Sequence, residues 1–487
     1  MRPGTTSAAN SIRLERLDTN RWHIPPTGGM RVPGVIFANE RLMRDLQADP
    51  ALQQVANVAH LPGIVKASFA MPDIHWGYGF AIGGVAAVDA SDGAISPGGV
   101  GYDINCGVRL VRTGLYVDEV QPKLKTLVAS LFNDVPCGVG MSGEIRLGHR
   151  DAERVMIQGS RWVIGKGYGT AEDVAHTESE GCLPDADPSQ VSERARRRGS
   201  DQLGTLGSGN HFLEVQAVET VYDPRAAALG LQQGQVAVMI HSGSRGFGYQ
   251  ICDDYLEVTA QAMAEYGIRV PDPQLACAPL RSEAGRAYLG AMRCAANYAW
   301  ANRQCLMHLA RVTFERVFGR SWESLEMALV YDVAHNIAKF ERHRVDGREQ
   351  LVCVHRKGAT RSFPPGHPEV PADYQAIGQP VIVPGDMGRY SFVLVGTETA
   401  MTESFGSCCH GAGRVMSRAQ AVRHAAGRSI EHELEQQGII VMGRGRTGIA
   451  EEQPSAYKDV NDVVQVVHEA GLATRVARLR PLGVIKG

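Results

Sequence analysis

The chain has 487 residues, enough for a large buried core, and its formal net charge of −2 excludes a global basic field for nucleic acid. No apolar run reaches the ~18 residues of a membrane-spanning helix, and the polar start Met1-Arg-Pro-Gly-Thr-Thr-Ser excludes a secretory signal peptide. Ten cysteines without a paired framework predict a reduced protein of the cytoplasm with no membrane partner.

The first predicted elements are a helix near residues 40–57 and an extended segment at 70–84. Asp73 and His75 alternate on that segment and therefore share one face. Aromatic side chains interleave with glycines there. Such a segment can stack on nucleic-acid bases, and it can equally be an aromatic core strand; the sequence leaves both interpretations open.

A glycine-rich loop at 98–107 precedes a predicted short strand that carries Val108 and Leu110 on one side. Its four glycines allow sharp turns and close approach to other atoms. Asp103 and Cys106 stand in this loop, and a carboxylate and a thiol three residues apart can converge on one cation if the turn is tight. The alternative is a glycine-rich turn with a buried structural cysteine.

The middle of the chain predicts helices near 121–132, 151–164 and 282–318. The basic run at 193–198 is either a solvated helix face or an arm that contacts phosphate. A second glycine-rich loop ends in Asn210-His211, a predicted strand over 235–241 ends at His241, and His335 follows an apolar run. Functional sites collect where strands end in such loops.

In the last third, a strand at 351–355 leads into a basic loop suited to a phosphate, and short strands are predicted near 379–383 and 391–396. His410 then precedes Gly-Ala-Gly-Arg at the predicted start of a helix that runs to about 437. Free amides and the dipole at a helix start favour phosphate, so His410 can act as an in-line nucleophile on a triphosphate. Two alternatives stay open: Cys408 or Cys409 as nucleophile, or a loop histidine without a catalytic role.

The candidate metal ligands are one carboxylate, one thiol and three imidazoles: Asp103, Cys106, His211, His241 and His335. None has the local spacing of a zinc finger, and dispersed ligands suit an open catalytic site. Five donors exceed the needs of one tetrahedral ion, so two ions bridged by the cysteine sulfur would use them all, as two-metal phosphoryl transfer requires. Ligand type alone does not fix the metal.

The sequence resembles the RtcB family of RNA-splicing ligases along nearly its whole length. Six segments in order carry the resemblance: Pro97-Gly-Gly-Val-Gly-Tyr-Asp-Ile-Asn-Cys-Gly-Val-Arg, Gly207-Ser-Gly-Asn-His-Phe-Leu-Glu, His241-Ser-Gly-Ser-Arg-Gly, Asp332-Val-Ala-His-Asn, His355-Arg-Lys-Gly-Ala-Thr-Arg and Cys409-His-Gly-Ala-Gly-Arg.

The resemblance implies a distinct α+β fold and a ligase that depends on GTP and two Mn2+ ions. Such an enzyme joins an RNA 3′-phosphate or 2′,3′-cyclic phosphate to a 5′-hydroxyl end, in tRNA splicing or RNA repair. Cys106 would bridge the ions, with Asp103 and His211 at one and His241 and His335 at the other. His410 would accept GMP and pass it to the RNA as an RNA-ppG end.

Positions that match the family's guanylate contacts are Asn210, Glu214, Ser391, Gly411, Gly413, Tyr457 and Lys486. The chain departs from the family pattern at Asp386, where relatives carry Ser. Apolar residues near the C-terminus predict that the tail packs down and buries Lys486. The resemblance also makes an archease-like protein a candidate activator.

Because the candidate site residues span 103 to 410 and no linker or repeat separates them, we expect a single compact α+β domain over residues 1–487. Two alternative functions remain in view. One is a metal-dependent phosphoesterase on the same scaffold, and the other is an RNA-binding subunit with a degenerate site.

Overall fold

Two large sheets organise the computed structural model, which describes residues 12–487. The seven-stranded sheet has the order β1-β2-β3-β4-β5-β13-β12, and the eight-stranded sheet has the order β11-β7-β9-β8-β19-β16-β15 with β18 alongside β19. The strands are β1 Glu15–Arg16, β2 Arg21–Ile24, β3 Gly34–Phe37, β4 Ile64–His75, β5 Ile82–Asp89, β6 Ala94–Ile95, β7 Gly107–Tyr116, β8 Phe212–Val221, β9 Gln235–Ser242, β10 Ala278–Pro279, β11 Ala328–Ala334, β12 Asn336–Val345, β13 Arg348–Lys357, β14 Ala359–Arg361, β15 Pro380–Val383, β16 Ser391–Gly396, β17 Ser407–Cys409, β18 Ile440–Gly443 and β19 Ala473–Lys486.

Helices cover these sheets and connect them. They are α1 Glu40–Leu46, α2 Ala51–Val58, α3 Val117–Val120, α4 Leu124–Asp134, α5 His149–Gln158, α6 Ser160–Ile164, α7 Ala171–Ala175, α8 Glu193–Gly199, α9 Arg245–Glu265, α10 Glu283–Phe318, α11 Glu398–Ser404, α12 Arg418–His424, α13 Ile430–Glu435, α14 Arg446–Glu451 and α15 Val460–Glu469. The prediction of an α+β fold is confirmed.

The 36-residue helix α10 is the longest element and confirms the helix predicted at 282–318. Ser282 caps its start by accepting a hydrogen bond from the Gly285 N–H at 3.0 Å, and Gly319 ends it with a left-handed φ of 68°. Nearly every side chain in its middle is buried, because α4, α5, α6 and α9 pack around it. The helix also packs against β9 of the eight-stranded sheet.

Three predicted helices differ from the structure. The helix at 40–57 is two helices, because Pro50 lacks an N–H and forms the N-cap of α2. The helix at 151–164 is broken at Gly159, whose φ is 54°. The helix predicted from 410 to 437 is wrong: a loop follows His410, and α12 and α13 are separated by a turn at Gly427, whose φ is 79°.

The C-terminal segment forms the 14-residue strand β19, which lies between β8 and β16. Leu482, Val484 and Ile485 are buried, and Lys486 is only 3% exposed. This confirms that the tail packs down. The polar start of the chain lies outside the described residues, and within residues 12–487 no helix has both the length and the apolar character needed to cross a membrane.

Candidate active site

Three neighbouring strands bring ligand-type side chains to one edge of the eight-stranded sheet. β7 lies between β9 and β11 and is antiparallel to both, so its start meets the ends of the other two. Cys106 directly precedes β7, His241 is the penultimate residue of β9, and His335 directly follows β11. Sheet pairing therefore places these three residues together despite their separation in sequence.

The glycine-rich loop before β7 turns tightly. The Cys106 N–H donates to the Asp103 carbonyl at 2.9 Å, and Asn105 adopts a left-handed φ of 52°. His211 stands directly before β8, and its Nδ1–H donates to the Leu206 carbonyl at 2.9 Å. This hydrogen bond orients the ring so that Nε2 faces the loop.

The five candidate ligands form a continuous cluster. Cys106 Sγ lies 3.4 Å from His211 Nε2 and 3.2 Å from His241 Nε2. His241 Nε2 lies 3.2 Å from His335 Nε2, and His211 Nε2 lies 2.8 Å from Asp103 Oδ2. The donor atoms fall into two triplets that share Cys106, each with its atoms within 4.8 Å of one another. The cluster can therefore hold two metal ions with the thiolate between them.

The protonation states of these side chains fit cation binding. Burial lowers the pKa of His241 and of His335 well below the ordinary value, so both rings are neutral and offer lone pairs. Burial opposes ionisation of Asp103, but the neighbouring His211 brings the pKa of Asp103 down to about 2. Burial and the Asp103 carboxylate raise the pKa of the Cys106 thiol well above normal, so only a positive charge beside the sulfur would hold the thiolate.

A buried arginine ties the ligand-bearing segments together. Arg303 of α10 donates from Nη1 to the Asn105 carbonyl at 2.7 Å and to the Ser242 carbonyl at 3.0 Å. Its Nε and Nη2 bind the two carboxylate oxygens of Asp332 at 2.9 and 2.8 Å, and Arg109 binds the same carboxylate. Each of the three residues bound by Arg303 lies within three positions of a candidate ligand, so this side chain sets the spacing of the cluster.

We expect Arg303→Lys to lower affinity for divalent metal by about 10- to 100-fold, the range found when groups behind metal ligands are lost. A lysine keeps the charge but cannot reach all three partners. Metal affinity measured by chelator competition checks this. Arg316→Lys, at an exposed position of the same helix, is the matched control and should bind metal normally. Equal affinities in both variants would contradict a role for Arg303 in cluster spacing.

His410 lies beside the metal-ligand cluster, with its ring centroid 4.8 Å from that of His335. Its Nδ1 is 2.6 Å from Asp73 Oδ2, and the same oxygen accepts the N–H groups of His410 at 3.0 Å and Gly411 at 3.2 Å. Burial would raise the pKa of Asp73, but His410 lowers it below its ordinary value, so the group is a carboxylate. Nδ1 therefore carries the proton, and the lone pair on Nε2 is free for nucleophilic attack.

The local structure around His410 differs from the prediction in one respect. His410 follows β17 and is not at a helix start, so a helix dipole does not act on it. The preceding residues Cys408 and Cys409 are fully buried, and burial raises the pKa of the Cys409 thiol well above normal. The burial of both cysteines and the raised pKa of Cys409 disfavour the alternative in which one of them is the nucleophile.

The cluster and His410 line a cavity of about 740 Å³ whose wall also carries four predicted guanylate-binding residues with polar side chains. Lys486 donates from Nζ to the Gly209 carbonyl at 2.8 Å. Tyr457 donates its hydroxyl hydrogen to the buried Glu452. The four residues on this wall are Asn210, Glu214, Tyr457 and Lys486.

Glu214 is a buried carboxyl group on this wall. Burial raises its pKa to about 7, against the opposing effects of the Gln216 hydrogen bond and the Lys486 charge. Asp386 adds negative charge nearby and is held by Arg389 Nε at 2.5 Å. Glu214 therefore changes protonation near neutral pH.

The other three predicted guanylate contacts are placed differently. Ser391 does not line the cavity; its hydroxyl accepts the Gln216 side-chain amide at 3.0 Å, behind the wall. Gly411 and Gly413 do line it. Gly413 has a φ of 76°, and a Cβ there would lie 2.1 Å from the Asp73 carbonyl oxygen, so close backbone approach already explains this glycine.

The predicted basic loop at 356–361 lies mostly in strands, with Arg356 and Lys357 in β13 and Arg361 in β14, and both arginines form internal ion pairs. Arg356 is fully buried and binds Glu341 at 2.6 Å, and the buried Arg361 binds Glu369. The prediction of a phosphate-binding loop is therefore wrong for these two arginines. Lys357 alone faces the cavity, where burial lowers its pKa to about 8.

Sequence reasoning missed the roles of Asp73 and Arg303. Asp73 drew attention only for sharing a face with His75, and no spacing rule connects it to a histidine 337 positions later. Arg303 lay within an alanine-rich helix that carries no motif. A charged residue on a predicted buried face was the one available signal, because such a residue needs buried partners.

Comparison with known proteins identifies the family. Residues 54–487 match the family described as RtcB, tRNA-splicing ligase RtcB. A tRNA-splicing ligase RtcB of Archaeoglobus fulgidus is 54% identical over 477 residues, covering 97% of this chain and 99% of that protein. One of Thermococcus kodakarensis is 54% identical over 478 residues (98% and 99%), and the RNA-splicing ligase RtcB of Mycobacterium tuberculosis is 54% identical over 438 residues (89% and 100%). The chain belongs to the RtcB family.

Proposed function

We propose that this chain is an RNA ligase that joins RNA 3′-phosphate or 2′,3′-cyclic phosphate ends to 5′-hydroxyl ends, using GTP and two Mn2+ ions. The observation that carries the proposal is His410, held by Asp73 with Nε2 free, beside two donor triplets that share Cys106. The names of the relatives, tRNA-splicing and RNA-splicing ligase, support tRNA splicing or RNA repair as its role.

The five clustered side chains would hold the metal ions. Asp103 and His211 with Cys106 form one site, and His241 and His335 with Cys106 form the other. Bound there, the ions would neutralise phosphate charge and lower the pKa of coordinated hydroxyls. Manganese is proposed from the family resemblance, because nitrogen and sulfur ligands also accept zinc.

The chemistry begins at His410. Its Nε2 attacks the α-phosphorus of GTP, so an N–P bond forms and pyrophosphate leaves. The ring becomes cationic, and the Asp73 carboxylate at Nδ1 stabilises that charge. An oxygen of the RNA 3′-phosphate then attacks the same phosphorus and frees His410, giving RNA-ppG; a 2′,3′-cyclic end reaches this step after water opens the ring to a 3′-phosphate and a 2′-hydroxyl. The 5′-hydroxyl attacks the RNA phosphorus, loses its proton and displaces GMP.

Guanylate would be held by seven residues. Four of them offer polar side chains at the cavity wall, where Glu214 can accept the N1–H and N2–H groups of guanine and Lys486 can donate to O6 or N7. The full proposed set is Asn210, Glu214, Ser391, Gly411, Gly413, Tyr457 and Lys486.

The test of this function is incubation with radiolabelled GTP and Mn2+, followed by denaturing gel analysis. The ligase forms a covalent protein–GMP adduct, and labelled protein is the expected result. A metal-dependent phosphoesterase or an RNA-binding subunit forms none, and the intact donor set gives no support to a degenerate site. Absence of the adduct in protein with bound metal would overturn the proposal.

Three further properties belong to the proposal. All ten cysteines are free, which supports a reducing compartment such as the cytoplasm. The site draws on residues from 73 to 486, which supports one catalytic domain over residues 1–487. An archease-like protein is a candidate activator, and a turnover assay with and without such a protein tests that.

Lys486→Ala should reduce GTP labelling of His410 at least tenfold, equivalent to about 1.4 kcal/mol, and should reduce the preference for GTP over ATP. The reason is loss of a buried cationic donor to the guanine acceptors, whereas adenine presents an amino donor at that edge. Initial labelling rates with both nucleotides measure this, with metal content as the control. Unchanged labelling and preference would leave base selection to Glu214 and Tyr457.

GTP binding should weaken as pH falls below about 7, because the pKa of Glu214 is about 7 and only its carboxylate accepts both guanine donors. Below that pKa the loss approaches tenfold per pH unit. The dissociation constant for GTP between pH 6 and 8 checks this. Glu214→Gln should bind GTP with little pH dependence. If the dissociation constant of this variant changes with pH as strongly as that of the wild type, Glu214 is not the titrating group.

A further inference from the structure

Three tyrosines form an aromatic stack on the cavity wall beside the candidate metal cluster. The Tyr102 and Tyr249 rings are stacked, with centroids 4.7 Å apart and an interplanar angle of 24°. Tyr78 meets Tyr102 edge to face at 5.6 Å. All three line the same cavity as the cluster, and Tyr249 is 45% exposed. The open question about aromatics at 70–84 is answered in part, because Tyr78 faces a cavity and not the core.

Backbone hydrogen bonds hold the Tyr78 segment of the stack in place. Lys357 donates from Nζ to the Tyr78 carbonyl, and the neighbouring Gly79 N–H donates to the Gln274 side chain at 3.0 Å. Tyr249 is exposed, and Tyr78 and Tyr102 are half-buried, so the stack presents ring surface to the cavity.

Tyr102 adjoins the end of the metal-ligand cluster that is farthest from His410 along the chain of contacts. Contacts run from His410 to His335, His241, Cys106, His211 and Asp103, and Tyr102 is the residue before Asp103. The leaving GMP is held on the His410 side in the proposed reaction. An in-line displacement needs the attacking 5′-hydroxyl on the opposite side of the phosphorus. Tyr102, next to the donor triplet that lacks His335, is the aromatic residue that we assign to that side.

Basic side chains flank the stack. Arg198 and Arg245 line the same cavity, and Arg194 and Arg197 are exposed on α8. The Arg198 guanidinium lies 5.2 Å from the centre of the Tyr249 ring. Arg198 Nη1 also donates to Gln250 Oε1 at 2.9 Å. An exposed cation–π contact is weak, so the rest of the guanidinium can turn to a phosphate and leave the ring to a base. Positive charge beside a stacking surface is the combination that binds single-stranded nucleic acid.

We propose that Tyr78, Tyr102 and Tyr249 form a stacking site for an unpaired nucleobase near the end of the RNA strand that carries the 5′-hydroxyl. This inference rests on the proposed ligase function. Stacking is independent of base identity, so the site orients the incoming strand without selecting its sequence.

The test uses RNA that already carries the ppG end, joined to a 5′-hydroxyl strand by wild type, Tyr249→Ala and the aromatic control Tyr249→Phe. Tyr249→Ala should raise KM for the 5′-hydroxyl strand about tenfold, and Tyr249→Phe should not. Labelling by GTP should be unchanged in both. An abasic site among the first nucleotides of the 5′-hydroxyl strand should abolish the difference between variants, whereas one in the ppG strand should preserve it.

A second measurement does not depend on ligation. A 5′-hydroxyl oligonucleotide with 2-aminopurine near its end should lose fluorescence on binding to wild type and Tyr249→Phe, and retain it with Tyr249→Ala. Equal quenching by all three proteins overturns the stacking site. Quenching without any GTP labelling overturns the ligase function and preserves the stacking site as a nucleic-acid subsite. If an abasic site in the ppG strand, and not one in the 5′-hydroxyl strand, abolishes the difference between the variants, the assignment to the 5′-hydroxyl strand is overturned.

Discussion

His410→Ala should form no covalent GMP adduct and should lose joining of 3′-phosphate and cyclic-phosphate ends, a loss of at least ~10³-fold for a missing nucleophile. The variant should bind metal normally, because His410 is not among the five clustered ligands. It should still join RNA that already carries the ppG end, since that step needs no nucleophilic histidine. Gel analysis of GTP labelling measures adduct formation, and ligation assays with 3′-phosphate RNA and with RNA-ppG measure the two joining reactions.

Asp73→Asn is the matched variant for the orientation of His410. It keeps the size of the side chain but removes the charge that stabilises the cationic ring, so adduct formation should slow by more than joining of RNA-ppG. Undiminished GTP labelling of His410→Ala would show that another residue is the nucleophile. The buried Cys408 and Cys409 would then need reconsideration.

Cys106→Ser should lose metal from both sites together. A serine hydroxyl stays neutral where the thiolate would bridge, and Cys106 belongs to both donor triplets. His241→Ala should weaken mainly the site that contains His335. Metal content per chain, measured after gel filtration, separates the two variants.

Sensitivity of the wild-type activity to oxidation is a further test of Cys106. Thiolates oxidise readily, so air-exposed protein should lose activity and recover it with reductant. Equal metal stoichiometry in Cys106→Ser and His241→Ala would contradict a shared ligand.

The strands that form the site were predictable because their apolar patterns are local. The predicted strands at 108–110, 235–241 and 391–396 lie within β7, β9 and β16. The helix predicted after His410 failed for a physical reason: Gly413 turns with a φ of 76° to let the chain pass the Asp73 carbonyl. That contact joins segments more than 300 residues apart, and no local pattern encodes it.

The candidate ligands could be chosen from residue type, loop position and family resemblance, and the structure places all five in one cluster. What supports them could not be predicted. Asp73 and Arg303 act through long-range hydrogen bonds, Asp73 to His410 and Arg303 to the Asn105 and Ser242 carbonyls. The burial of Arg356 and Arg361 could not be predicted from the sequence either, because each arginine depends on an acidic partner that only the tertiary structure brings close.

The most direct measurement is to locate the labelled residue in the wild-type protein. After incubation with GTP and Mn2+, digestion at alkaline pH and tandem mass spectrometry, the account predicts GMP on His410, in a bond that is labile to acid and stable to alkali, as a phosphoramidate is. GMP on a cysteine, a lysine or another histidine, or its absence from protein with both metal sites filled, would contradict it.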